Sequence, residues 1–193
     1  MQTTHKTLVQ QLTLIIENSA WFMPALRIGR DMNFSSWCIG AGAVRNLVWD
    51  HLHHYEQPSY LSDIDLVYFD AEENLSIEQQ HQKRITEKSP DFSWEITNQA
   101  FVHLWFEQYF GHPVAPLHSL QDAISTWPEY ATSVGVFLTP EDQLEIIAPY
   151  GLDDLFAMQI RRNPKRVSVE TYRQRILSKC YNQRWPKVKV FPE

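Results

Sequence analysis

The stretch Cys38–Asp70, CIGAGAVRNLVWDHLHHYEQPSYLSDIDLVYFD, decides how the rest of the chain is read. Near its end, Ser62-Asp63-Ile64-Asp65-Leu66-Val67-Tyr68-Phe69 sets two carboxylates at i and i+2 in an apolar, strand-forming run. A strand turns i and i+2 to one face. Asp63 and Asp65 therefore point together while Ile64 and Leu66 fill the core. Two close carboxylates repel each other unless a cation relieves them, and Mg²⁺ favours carboxylates combined with substrate phosphates. At the start of the stretch, Trp37-Cys38-Ile39 runs into Gly40-Ala41-Gly42 and then into a helical pattern. A glycine turn opening a helix is suited to receiving a phosphate. A phosphate cradle followed by a metal-binding Asp-x-Asp points to transfer of a nucleotidyl group.

The 193 residues suit one domain, and 44% apolar and 13% aromatic content supply a real core. No apolar run approaches the roughly 20 residues of a membrane span. The first twenty residues lack the charged and apolar regions of a secretory leader. Cys38 and Cys180 are far apart and fit no metal-ligand spacing. A reduced, cytoplasmic protein is the expectation. Arg161–Glu193 carries ten Lys or Arg against two acids, a net +8, while the remainder carries seven bases and twenty-one acids, a net −14. Such a tail suits docking on its own acidic domain or contacting a nucleotide phosphate. The acidic remainder disfavours a long nucleic-acid backbone, although nucleic acid stays open as a partner.

Helical spacing predicts helices over Lys6–Asn18, Met23–Arg30, Ala43–Tyr55, Ser76–Lys88, Gln99–Phe110, Ser119–Trp127, Leu152–Ile160 and Ser168–Arg184. Strands are expected at Ser35–Ile39, Asp63–Phe69 and Phe92–Ile96, with a hairpin of Ser133–Leu138 and Gln143–Ile147. Ser76–Lys88 is charged throughout and reads as an exposed helix. His51, His53 and His54 fit a solvated helix end better than a zinc site, because no Cys or acid completes a ligand pattern. Arg45, in the first turn of its helix, suits either a nearby phosphate or a salt bridge. Glu95, between large apolar neighbours, suits either a solvent-facing edge position or a third active carboxylate.

The order of apolar strand, glycine turn, helix, Asp-x-Asp strand and later carboxylate strand resembles the polymerase-β-like nucleotidyltransferase superfamily. Gly40-Ala41-Gly42-Ala43-Val44-Arg45 resembles its glycine turn, Ser62-Asp63-Ile64-Asp65-Leu66 its Asp-x-Asp motif, and Trp94-Glu95-Ile96 the position of its third carboxylate. A closer likeness, to small bacterial nucleotidyltransferase family proteins of unestablished substrate, rests on three further segments. These are Trp94-Glu95-Ile96-Thr97-Asn98-Gln99-Ala100, Thr126-Trp127-Pro128-Glu129 and Ala148-Pro149-Tyr150-Gly151-Leu152-Asp153-Asp154-Leu155-Phe156. Two departures stand out: an insertion around His51–Tyr60, and Glu in place of Asp as the third acid.

The resemblance implies an α+β fold with a mixed central sheet, flanking helices and a C-terminal helical segment. It implies a single domain over 1–193, with a catalytic core at 33–150 and a basic segment at 151–193. Asp63, Asp65 and Glu95 would hold Mg²⁺, or Mn²⁺, and carry catalysis. Gly40, Gly42 and Arg45 would hold the phosphates of an NTP. The acceptor hydroxyl is not identified by the sequence. The alternative is a non-catalytic nucleotide- or partner-binding domain that retains the fold. An Asp-x-Asp glycosyltransferase would need more βαβ units than this chain offers.

Overall fold

The computed structural model describes residues 7–192. Lys6 of the first expected helix, and part of the segment read for a leader, lie outside the described residues. The first helix, α1 (Leu8–Glu17), opens on a reciprocal cap in which Thr7 and Gln10 bond each other's backbone. It buries Leu12, Ile15 and Ile16. The next helix, α2 (Phe22–Arg30), presses so closely on the sheet that a Cβ at Gly29 would lie 2.5 Å from the Trp37 ring.

The sheet is built from β1 (Trp37–Gly40), β2 (Ile64–Tyr68), β3 (Trp94–Asn98), β4 (Gly135–Leu138) and β5 (Leu144–Ile147), in the spatial order β3-β2-β1-β4-β5. Within this sheet only β2 and β3 run parallel. A parallel pair needs a crossover, and α4 (Ile77–Lys88) supplies it. The helix α3 (Gly42–Leu52) links β1 towards β2. Ile39, Leu66, Ile64, Ile96 and Val136 belong to the main core with α1, α2 and α3. Cys38 and Val67 turn to the opposite face, where Leu120 and Ile124 of α6 (Leu120–Ile124) cover them. The sheet is thus buried on both faces along part of its length. The helix α5 (Val102–Phe110) ends at Gly111, whose φ of +77° closes it.

Four expectations need correction. The charged helix α4 is not simply exposed. Ile85 is fully buried, the Gln82 side chain bonds the Trp94 carbonyl and the Ile96 N–H, and Glu78 accepts from the Asn98 N–H. Its polar side chains satisfy the free edge of β3, which would otherwise invite foreign strands. Helix α3 stops at Leu52 rather than Tyr55, and His54 follows at a φ of +57°. The expected helix Leu152–Ile160 is one turn, α7 (Asp153–Phe156). Met158 at φ +53° then turns the chain into a strand, β6 (Gln159–Ile160), which pairs with β7 (Lys189–Val190). The expected helix Ser168–Arg184 is two helices, α8 (Val169–Lys179) and α9 (Tyr181–Arg184), separated by Cys180 at φ +47°. Periodicity alone does not register a single left-handed residue.

The basic C-terminal segment is tied back to the chain. Arg161 pairs with Asp154, Lys165 with Asp122, Arg175 with Glu129, while Arg184 donates to the Tyr60 carbonyl and Lys187 to that of Leu52. The Trp185 indole, fully buried, donates to Asp50 at 2.7 Å.

Candidate active site

The parallel pairing of β2 with β3 fixes the acids. Register sets Asp65 directly beside Glu95, and Asp63 lies two residues before Asp65 on the same side. One carboxylate oxygen from each of Asp63, Asp65 and Glu95 comes within 4.8 Å of the others. Asp63 and Asp65 are half-buried and Glu95 is exposed. Among the described residues this is the one group of His, Cys, Asp or Glu side chains close enough to share a metal. The three histidines at the end of α3 do not join it. His53 is instead occupied by the Trp49 carbonyl and the Lys187 N–H.

The acids perturb one another. Burial, then Asp63, then Glu95 push the Asp65 carboxyl up to about 7, against the pull of Arg175 and Lys179. Burial and then Asp63 also raise Glu95. Three hard oxygen donors in this crowded state suit a divalent cation such as Mg²⁺ or Mn²⁺.

The glycine turn sits beside the acids, and its two glycines differ. The antiparallel register of β1 on β2 sets Ile39 opposite Leu66, the residues next to Gly40 and Asp65. A Cβ on Gly40 would lie 2.5 Å from the Trp127 ring and 2.9 Å from the Val134 carbonyl. Glycine is therefore required there to admit the indole. A Cβ on Gly42 would make ordinary van der Waals contact with Arg45 Nη2 at 3.6 Å and Leu61 Cδ1 at 3.8 Å, so this position is not closed by packing as Gly40 is. Between them Ala41 takes a φ of +50°, a strained value for a residue with a side chain. No side chain caps α3, leaving its first-turn N–H groups unoccupied by a capping oxygen.

Arg45 forms no bond to a carboxylate among the described residues. It is 3% exposed and its guanidinium lies 5.1–5.7 Å from the ring centroids of Trp49, Tyr181 and Trp185. Nη2 donates to Asn46 at 2.8 Å, while Nε and Nη1 have no hydrogen-bond partner among the described residues. Burial lowers its pKa, opposed by Tyr181 and Glu129.

Sequence reasoning missed the pair behind this cage. Glu129 is fully buried and accepts from Arg175 Nε at 2.5 Å, Tyr181 Oη at 3.1 Å and Thr132 Oγ1 at 2.8 Å. Burial pushes the Glu129 carboxyl up, but Arg175 outweighs it and the group stays below the ordinary range. The signal available was an acid set between Pro128 and Tyr130, the same kind of anomaly that singled out Glu95. His103 has a buried Nδ1 with no hydrogen-bond partner among the described residues. A cavity of about 240 Å³ reaches Asp63 and is walled by Trp21, Asn46, Leu61 and Phe92.

A family profile described as nucleotidyltransferase matches residues 27–190. The chain belongs to the nucleotidyltransferase family. The architecture agrees. A protein whose NMR structure reveals a CCA-adding enzyme head domain is 29% identical, with a TM-score of 0.82 and 98% of each chain covered. A CCA-adding enzyme in complex with CTP shares the fold at 16% identity and a TM-score of 0.54, over 96% of this nucleotidyltransferase and 43% of that chain. A tRNA-processing enzyme in an apo form shares it at 14% identity and a TM-score of 0.52, over 97% and 45%. Among functionally curated proteins nothing matches significantly. Among the described residues no helix of this nucleotidyltransferase is long and apolar enough to cross a membrane.

Proposed function

We propose that this nucleotidyltransferase moves a nucleoside monophosphate from an NTP to an acceptor hydroxyl in a Mg²⁺-dependent reaction. The observation that carries the reading is the meeting of carboxylate oxygens of Asp63, Asp65 and Glu95 within 4.8 Å of one another. Asp63 and Asp65 would hold the cation, with Glu95 completing the set. Mg²⁺ bound there supplies neutralisation of the charge that develops on the transferring phosphate.

The chain's own groups account for the remaining roles. The uncapped N–H groups of the first turn of α3 would receive the β- and γ-phosphates. Arg45 adds positive potential from behind that turn. Glu95 is the exposed acid of the three, and so the one that an acceptor hydroxyl can approach to pass on its proton. The bond formed joins the acceptor oxygen to the α-phosphorus, the α–β bridging bond breaks, and pyrophosphate leaves. Gly40 would contribute through the path of the turn, because its open side is filled by Trp127.

The reading specifies a hydroxyl. RNA ends, protein side chains, antibiotics and small metabolites all carry one. Similarity to a CCA-adding enzyme head domain supports an RNA end among these. The tying of C-terminal cations to internal partners supports a smaller acceptor.

The test is incorporation of label from each of the four α-³²P-labelled NTPs, with Mg²⁺ and size-fractionated acceptor pools from cell extract. Label transferred by the natural chain and lost in Asp63→Asn is expected. Equal label from both proteins would overturn this site.

A further inference from the structure

Resting on the transferase reading of the site, we infer that residues 51–60 wall an acceptor pocket, and that the acceptor is a small molecule bearing a hydroxyl and a positive charge.

The cavity of about 240 Å³ has Asp63 in its wall, together with Leu61 and Asn46. Leu61 Cδ1 lies 3.8 Å from the place a Cβ would take on Gly42, and Asn46 accepts from Arg45 at 2.8 Å. The cavity is therefore next to both the acids and the start of α3. A second cavity, of about 750 Å³, is walled by α1, the end of α3 and residues 55–58. Trp21, Asp50 and Pro58 line both, so the two adjoin. Together they have the size of a small-molecule site, with one end at Asp63.

The insertion between the glycine turn and the Asp-x-Asp strand supplies much of the wall, through His51, Tyr55, Glu56, Pro58 and Ser59. Its path is fixed. The buried Asp50 accepts from the Ser59 N–H at 2.8 Å and the Ser59 hydroxyl at 2.5 Å, and Tyr55 Oη donates to the Arg184 carbonyl at 2.7 Å. The pocket is thus formed before a ligand arrives, by the segment that departs from the usual spacing of the motifs.

The lining selects for charge. Asp50, Glu56, Asp63 and Asp91 line the two cavities, with His51 and no lysine or arginine among the described residues. Walls of one sign concentrate ligands of the other. Trp21 and Tyr55 add aromatic rings that a cation can approach. A divalent cation at the site acids would neutralise Asp63 and leave Asp50, Glu56 and Asp91 negative. A polynucleotide end would bring its phosphates against these acids, and a neutral nucleobase would gain nothing from them.

The test is label transfer by the full chain from an α-³²P-labelled NTP to four fractions of cell extract: RNA, and small molecules separated by ion exchange into cationic, neutral and anionic pools. The natural chain, Glu56→Lys and Trp21→Leu are compared, with Mg·NTP affinity measured in parallel by calorimetry. Label is expected in the cationic pool. Each variant should raise the half-saturating amount of that pool about two- to fivefold and leave Mg·NTP affinity unchanged. Label confined to the RNA, neutral or anionic fraction would overturn the pocket assignment and leave the transferase reading standing. So would half-saturation unchanged in both variants, or Mg·NTP affinity lost in both. Label in no fraction would overturn the transferase reading on which the assignment rests.

Discussion

Arg175 Nε donates to Oε1 of Glu129 across 2.5 Å, joining the C-terminal helix α8 to the turn that follows α6. Glu129 has no contact with solvent, so its charge depends on that guanidinium. Removing one partner of a buried pair costs about 3–5 kcal/mol, because the other charge is left uncompensated. Arg175→Met should lower stability by that order in urea unfolding. Adding Glu129→Gln in the same chain should restore a large part of it. A single substitution without effect would show that the pair does not anchor the segment.

The two glycines of the turn should separate packing from ligand binding. Gly40→Ala drives a methyl group to 2.5 Å from the Trp127 ring, and overpacking of this kind costs about 1–3 kcal/mol. Gly42→Ala has 3.6 Å of clearance and should leave stability within about 1 kcal/mol of the natural chain. If the phosphates lie over the start of α3, Gly42→Ala should nevertheless weaken Mg·NTP binding. Urea unfolding and calorimetric titration of both variants check the contrast.

Stability should fall with rising pH when no divalent cation is present. The Asp65 carboxyl is held up at about 7 by burial, Asp63 and Glu95, against an ordinary value of 3.8. Between those values the folded chain binds a proton that the unfolded chain has released. Stability then declines as pH rises through the interval, and the decline ends above the folded value. Glu95 is shifted in the same direction. Denaturant unfolding at pH 5, 6, 7 and 8 should show the fall, and Asp65→Asn should flatten it. Mg²⁺ should raise the melting temperature more at pH 8 than at pH 5, since a bound ion replaces the proton.

Much of the sheet face that carries the acids is legible in the sequence, because period-2 alternation turns Asp63 and Asp65 together without reference to the rest of the fold. The parallel neighbour that sets Glu95 beside Asp65 is a long-range fact, and the local pattern around Trp94 left it open. The surroundings of Arg45 were less visible. Trp49 lies one turn away, but Tyr181 and Trp185 come from the far end of the chain. The kink at Cys180 that delivers them carries no glycine or proline signal. Glu129 and Arg175 lie 46 residues apart, and although Glu129 stands out between Pro128 and Tyr130, no local pattern links it to Arg175.

The central claim is that Asp63, Asp65 and Glu95 share a divalent cation, and Mn²⁺ titration followed by the electron paramagnetic resonance of the free ion tests it most directly. At neutral pH the natural chain is predicted to remove Mn²⁺ from solution stoichiometrically. Asp63→Asn, Asp65→Asn and Glu95→Gln should each weaken binding about tenfold or more. A natural chain that leaves the free-ion signal untouched, or an Asp65→Asn variant that binds as well as the natural chain, would contradict the account.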